Sequence, residues 1–254
     1  FLTNLKSTDS NKEIILQLSE NILEQFASLK LLDKYDVYQV LLSYWNETMN
    51  DDVLLVIQDE LGYDLVKVTD DIFEEPKESK KKKKDSAKEE KKKEPKKIGW
   101  EGRLIPKQIV LDTFFTAEQK TIEEKEEQLS QTESQFEEFT ESNSDEEGYL
   151  ADYIGDDEKI DSKKIAFRVK VLTKEKKTET EEYKILNQFT EYEASIKFQK
   201  KTVADLKKTL DESCRQRYST FTTDEIKDLL VNRKWYKTID QGIQNLYVTV
   251  ANHL

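Results

Sequence analysis

The residues able to carry chemistry in this chain are few, and their spacing suits little of it. His253 is the only histidine and stands one residue from the end of the sequence. A terminal imidazole is not held rigidly, so no Ser-His-Asp triad, His-metal nuclease centre or zinc site is expected. Asp51 and Asp52 offer two adjacent carboxylates. Neighbouring side chains leave a regular backbone in different directions, which favours a helix C-terminal or turn role over a metal pair. The single Cys214 excludes an intrachain disulfide framework, reads as a small buried hydrophobe and fits a reducing cytoplasm. Gly99 and Gly102 form only G-W-E-G, neither a dinucleotide fingerprint nor a phosphate-binding loop. Trp45, Trp100 and Trp235 read as core or interface anchors rather than a stacking platform. No catalytic residue, metal or cofactor is therefore assigned to these residues.

The elements around them are mostly helical. Six glycines and three prolines in 254 residues, with 37% charged against 36% hydrophobic, favour long unbroken helices over a glycine-rich nucleotide fold or a β-barrel. Ile14, Ile15, Leu18, Ile22, Phe26 and Leu29 recur at helical spacing over residues 11–29, with Ser10 and Glu13 as a capping box. Asp33 caps a second helix through about Met49, with Val37, Leu41, Tyr44 and Trp45 facing inward. Val53–Ile57 and Tyr63–Val68 read as strands of a hairpin, and residues 98–105 as a third strand. Pro106 opens a new helix. No apolar run approaches the roughly 20 residues of a membrane span. The chain starts at Phe1 and its only methionine is Met49, so a longer parent protein is expected.

Two charged tracts stand out. Residues 74–97 hold Lys, Glu, Asp, Ser and two prolines with almost no apolar side chain, the composition of a disordered loop. Its run Lys80–Lys84 is diluted by acids and lacks aromatics for stacking. Between Glu118 and Glu158, sixteen acidic residues face two lysines, a surface that repels a phosphate backbone.

Heptads dominate the rest. Phe115, Ile122, Leu129 and Phe136 fall seven apart, with Phe139 beyond them. From about Glu181, Ile185, Phe189, Tyr192, Ile196, Val203, Leu206 and Leu210 hold one a/d frame that only Gln199 breaks. These two helices read as an antiparallel hairpin, with a short basic helix through Ile165, Val169 and Leu172 between them. Thr222 and Glu225 form a capping box before Ile226, and Trp235, Ile239, Ile243, Leu246 and Val250 line the last helix. Such stripes form internal core or a surface for another chain. The candidate partner-binding residues are Ile185, Phe189, Ile196, Val203, Leu206, Leu210, Trp235, Ile239, Ile243 and Leu246.

The expected fold is mainly α with a small β element: a helix and β-hairpin segment over 1–73, the loop 74–97, a strand at 98–105 and a long-helix arm over 106–254. Three segments of this sequence, LDKYDVYQVLLSYWNETMNDD at Leu32–Asp52, GWEGRLIPKQIVLDTFFTAEQ at Gly99–Gln119, and LTKEKKTETEEYKIL leading to TTDEIKDLLVNRKW at Thr222–Trp235, resemble the C-terminal region of the modification subunit of type I restriction-modification systems. The resemblance implies a parent that is an S-adenosylmethionine-dependent adenine-N6 DNA methyltransferase, whose glycine loop and Asn-Pro-Pro-aromatic motif lie upstream. No Asn-Pro-Pro occurs here, the prolines being isolated at Pro76, Pro95 and Pro106. It also implies docking on the helical spacers of the specificity subunit, with the restriction subunit as a further partner and DNA reached through the assembled complex. A homodimer, a nucleic-acid-contacting module using residues 80–97 and 159–177, and an acidic DNA mimic over 118–158 stay open beside it.

Overall fold

The computed structural model describes residues 1–26, 32–74, 95–145, 148–155 and 159–252. Among the described residues the protein is mainly helical, with one two-stranded antiparallel sheet. It folds into two compact units, Phe1–Phe114 with Ser213–Leu254, and Phe115–Glu212. This replaces the expected single arm over 106–254. The residues after 212 bury their apolar face with the amino-terminal segment instead.

In the first unit, α1 (Asn11–Phe26) buries Ile14 and Leu18, and the Ser10 carbonyl accepts from the Glu13 and Ile14 amides. The Asp33 side chain accepts from the Tyr35 amide at 2.8 Å and opens α2 (Lys34–Tyr44). The helix does not stop near Met49. It passes through a π-helical stretch, Trp45–Met49, into α3 (Asn50–Gln58). Val37, Leu41, Trp45, Met49, Val53 and Ile57 are all buried and stand four apart. At about 100° per residue, each four-residue step overshoots a full turn by about 40° in an α-helix. The wider π turn takes up part of that drift and keeps the stripe on one side.

Val53–Ile57 is therefore helix rather than strand, and residues 62–67 (Gly62–Lys67) form a 3-10 helix. A five-residue run of Val, Leu and Ile fits a buried helical turn as well as a strand, and here the stripe begun at Val37 decides the matter. The sheet instead pairs β1 (Thr69–Phe73) with β2 (Lys97–Gly102), in register from Thr69 opposite Gly102 to Phe73 opposite Lys97. The third expected strand is thus the second of two. The lysine-rich tract connects them, and residues 75–94 of it lie outside the described residues.

Gly102 has to be glycine, because a Cβ there would stand 2.1 Å from the Ile105 carbonyl oxygen and 2.5 Å from the Tyr218 ring. Tyr218 donates to that carbonyl at 2.7 Å and meets Trp100 edge to face. The helix α4 (Lys107–Phe114) follows Pro106, with the Glu101 carboxylate accepting from the Lys107 amide. The unit is completed by α8 (Thr223–Lys227), which carries the expected Thr222–Glu225 capping box, then a π-helical Asp228–Tyr236 and α9 (Lys237–Ala251). Gly242 lets α9 approach α2, since a Cβ would lie 2.5 Å from Val40.

The second unit is built on α5 (Thr116–Ser142) and the greater part of α7 (Glu181–Tyr218). Lys200 pairs with Glu133 at 2.7 Å and Lys207 with Glu126 at 2.6 Å. The seven-residue step runs in opposite directions on the two helices, as an antiparallel hairpin requires. Phe136 and Phe139 pack on Phe189 and Tyr192 with ring centroids 5.1–5.6 Å apart. The short basic helix α6 (Ser162–Lys174) caps this end, burying Ile165 and Leu172 with Leu150, Leu186 and Phe189.

Candidate partner-binding surfaces

A buried ionic centre among the described residues of the first unit involves Asp52, expected at a helix C-terminus or in a turn. Asp52 falls in the first turn of α3, neither at a helix C-terminus nor in a turn, and it is 6% exposed while Asp51 is exposed. Its Oδ2 lies 2.6 Å from Lys234 Nζ and accepts from Trp235 Nε1 at 2.9 Å. Lys234 Nζ also donates to the Leu104 carbonyl at 2.6 Å. The Tyr44 hydroxyl lies beside this centre, 3.5 Å from the Lys234 carbonyl oxygen. Burial, opposed by the Thr238 hydroxyl and reinforced by Asp52, pushes its pKa up to about 12. With the two charges matched and the indole satisfied, the arrangement is a structural tie. Among the described residues no cluster of three metal-ligating side chains occurs.

The ten seam residues separate into two groups. Trp235, Ile239, Phe189 and Val203 are buried inside their own units. Ile185, Ile196, Leu206, Leu210, Ile243 and Leu246 are half-buried. On the first unit, Ile239 and Ile243 with Leu18, Ile22, Phe26 and Tyr236 border an open groove between α1 and α9. The frame-breaking Gln199 donates to Thr132 and Ser195, and its Oε1 is buried without a partner among the described residues.

On the second unit the structure shows what the heptad pattern hid. Phe198 on α7 and Phe167 on α6 are each 71% exposed, the highest exposure of any large apolar side chain among the described residues. An open groove of about 660 Å³ between these helices is bordered by Phe136, Ala166, Ala194, Ile196, Lys197 and Lys200. The Phe167 signal was present in the sequence, because Lys163, Phe167, Lys170 and Lys174 alternate by four and three and so share one helical face. Of the basic stretch 159–177, Arg168 is committed to a two-pronged pair with Glu182, and Lys177 to Glu175. Lys163, Lys170 and Lys174 make no ion pair among the described residues. The run 80–84 and His253 lie outside the described residues.

Among the described residues no helix is long and apolar enough to cross a membrane. Comparison of the chain with family models, with curated proteins and with solved structures returned no match.

Proposed function

We propose that this chain is the C-terminal assembly region of a type I restriction-modification methyltransferase subunit, docking on the specificity subunit so that the adenine-N6 methyltransferase is placed on DNA. The observation that supports it most is where the resembling segments meet. Asp52 ends the first, Leu104 lies in the second and Trp235 ends the third, and the three are joined through one buried centre. The half-buried Ile243 and Leu246 on α9, with Leu206 and Leu210 on α7, supply apolar edges for helices of another subunit. Methyl transfer belongs in this reading to upstream parts of the parent, with S-adenosylmethionine bound there.

Co-expression of the chain with the specificity subunit, followed by gel filtration in 0.15 M salt, tests the reading. A stable common peak is expected, and Leu246→Asp is expected to split it while leaving the thermal melt of the chain within a few degrees. Separate elution of the two wild-type proteins sinks the proposal.

A further inference from the structure

We infer that the groove between α6 and α7 of the second unit is a seat for an acidic amphipathic helix supplied by another protein. Its apolar surface comes from Phe136, Ala166, Ala194 and Ile196, and the two alanines leave room for a close approach by a helix. One turn either side of Ala166 on α6 stand Lys163 and Lys170, and the turn after Ala194 on α7 carries Lys197 and Phe198. Lys163, Lys170 and Lys197 are exposed and form no ion pair among the described residues. Where lysines of α7 face the acidic helix α5 they are paired, as Lys200 with Glu133 and Lys207 with Glu126. The groove itself holds one acid, Glu193, which accepts from Ser162 Oγ at 2.5 Å.

The chemistry selects among occupants. Residues 115–212 carry 26 acidic and 16 basic side chains, a net excess that repels the dense charge of a nucleic acid. A phosphate backbone also brings nothing to cover an apolar floor. A second copy offers its acidic α5, but the apolar stripe of that helix already faces α7 through Phe136 and Phe139. A helix with an apolar stripe flanked by Glu or Asp satisfies both features, laying the stripe on the apolar floor while its acids meet the lysines. The stripe from Lys163 to Lys170 spans about 10 Å, so two to three turns of the partner are engaged.

The test uses three synthetic helices of three heptads, all with leucine at a and d except the last: one flanked by Glu, one flanked by Lys, and one Glu-flanked with its leucines replaced by serine. Binding of each to the intact chain is read by fluorescence anisotropy. The Glu-flanked leucine helix is expected to bind at least tenfold more tightly than either control. Combined Lys163→Glu, Lys170→Glu and Lys197→Glu is expected to weaken it at least tenfold, and Phe198→Ser several-fold, with circular dichroism unchanged. Equal binding of the serine helix, displacement by duplex DNA, or a wild-type dimer that the triple variant turns to monomer would each overturn the inference. So would absence of binding. Success or failure here is separate from co-elution with the specificity subunit, since the peptide assay needs no subunit and the co-elution needs no acidic peptide.

Discussion

Replacing Asp52 with alanine isolates the buried centre of the first unit. The side chains of Asp52 and Lys234 are 9% and 11% exposed, and their 2.6 Å contact has little solvent screening. Without the carboxylate, the ammonium keeps only the Leu104 carbonyl, and Trp235 Nε1 loses its acceptor. Breaking one side of a buried pair costs about 3–5 kcal/mol, where an exposed pair contributes about 1 kcal/mol or less. At roughly 2–4 °C per kcal/mol for a chain of this size, the melting temperature should fall by roughly 10 °C. Replacing both partners, Asp52→Leu with Lys234→Met, removes both charges and should recover more than half of the loss. Urea unfolding followed by tryptophan fluorescence and circular dichroism gives the energies directly, with an unchanged denaturant slope. Raising the salt should leave the difference intact, because a buried pair is weakly screened. A single-mutant loss below about 1 kcal/mol, or a double mutant no better than Asp52→Ala, refutes the buried-tie argument.

Other perturbations probe different parts of the molecule. Gly102→Ala forces a Cβ against the Ile105 carbonyl and Tyr218; a loss of about 1–3 kcal/mol in urea is expected, and neutrality would mean that the close approach is easily relaxed. Gln199→Leu removes the unpartnered Oε1 from the α5–α7 seam and should stabilise the second unit by about 1 kcal/mol, so a lower melting temperature contradicts it. Glu225 is held below its usual range by the Thr222 amide and then Arg217, Asp161 by the Lys164 amide, and Asp228 by the Asn232 side chain. Groups whose folded values lie below their unfolded values, about 4, contribute stability above that pH and lose it as pH falls through the folded values. Melting temperature should therefore decline below about pH 4, and a rise on acidification would show the sign to be wrong.

Much of the helical framework was legible because spacing alone encodes it. The frames through Phe136 and Phe189 gave the hairpin, and Thr222 with Glu225 gave a cap that needs only local geometry. Val53–Ile57 misled because its five residues satisfy two periods, and only the four-residue stripe starting at Val37 resolves them. Asp52 could not be assigned locally: its partners Lys234 and Trp235 are about 180 residues away and leave no trace in the neighbouring sequence. The same holds for the return of residues 213–254 to the amino-terminal unit. Whether an a/d residue is core or edge also depends on what lies across from it, which is why Trp235 and Leu246 look alike in sequence and differ in burial.

The first unit is interrupted by the second, and this bears on the order in which the molecule is made. Asp52 and Trp235 are separated by 183 residues, which a ribosome adding about 5–20 residues per second takes roughly 10–40 s to synthesise. Throughout that interval α2, with its buried Val37 and Leu41, has emerged without the α9 that packs on it. Residues 115–212, contiguous in the chain, can complete their contacts first. Within this chain the unit begun first is thus finished last, with part of its apolar face uncovered until residues 213–254 follow.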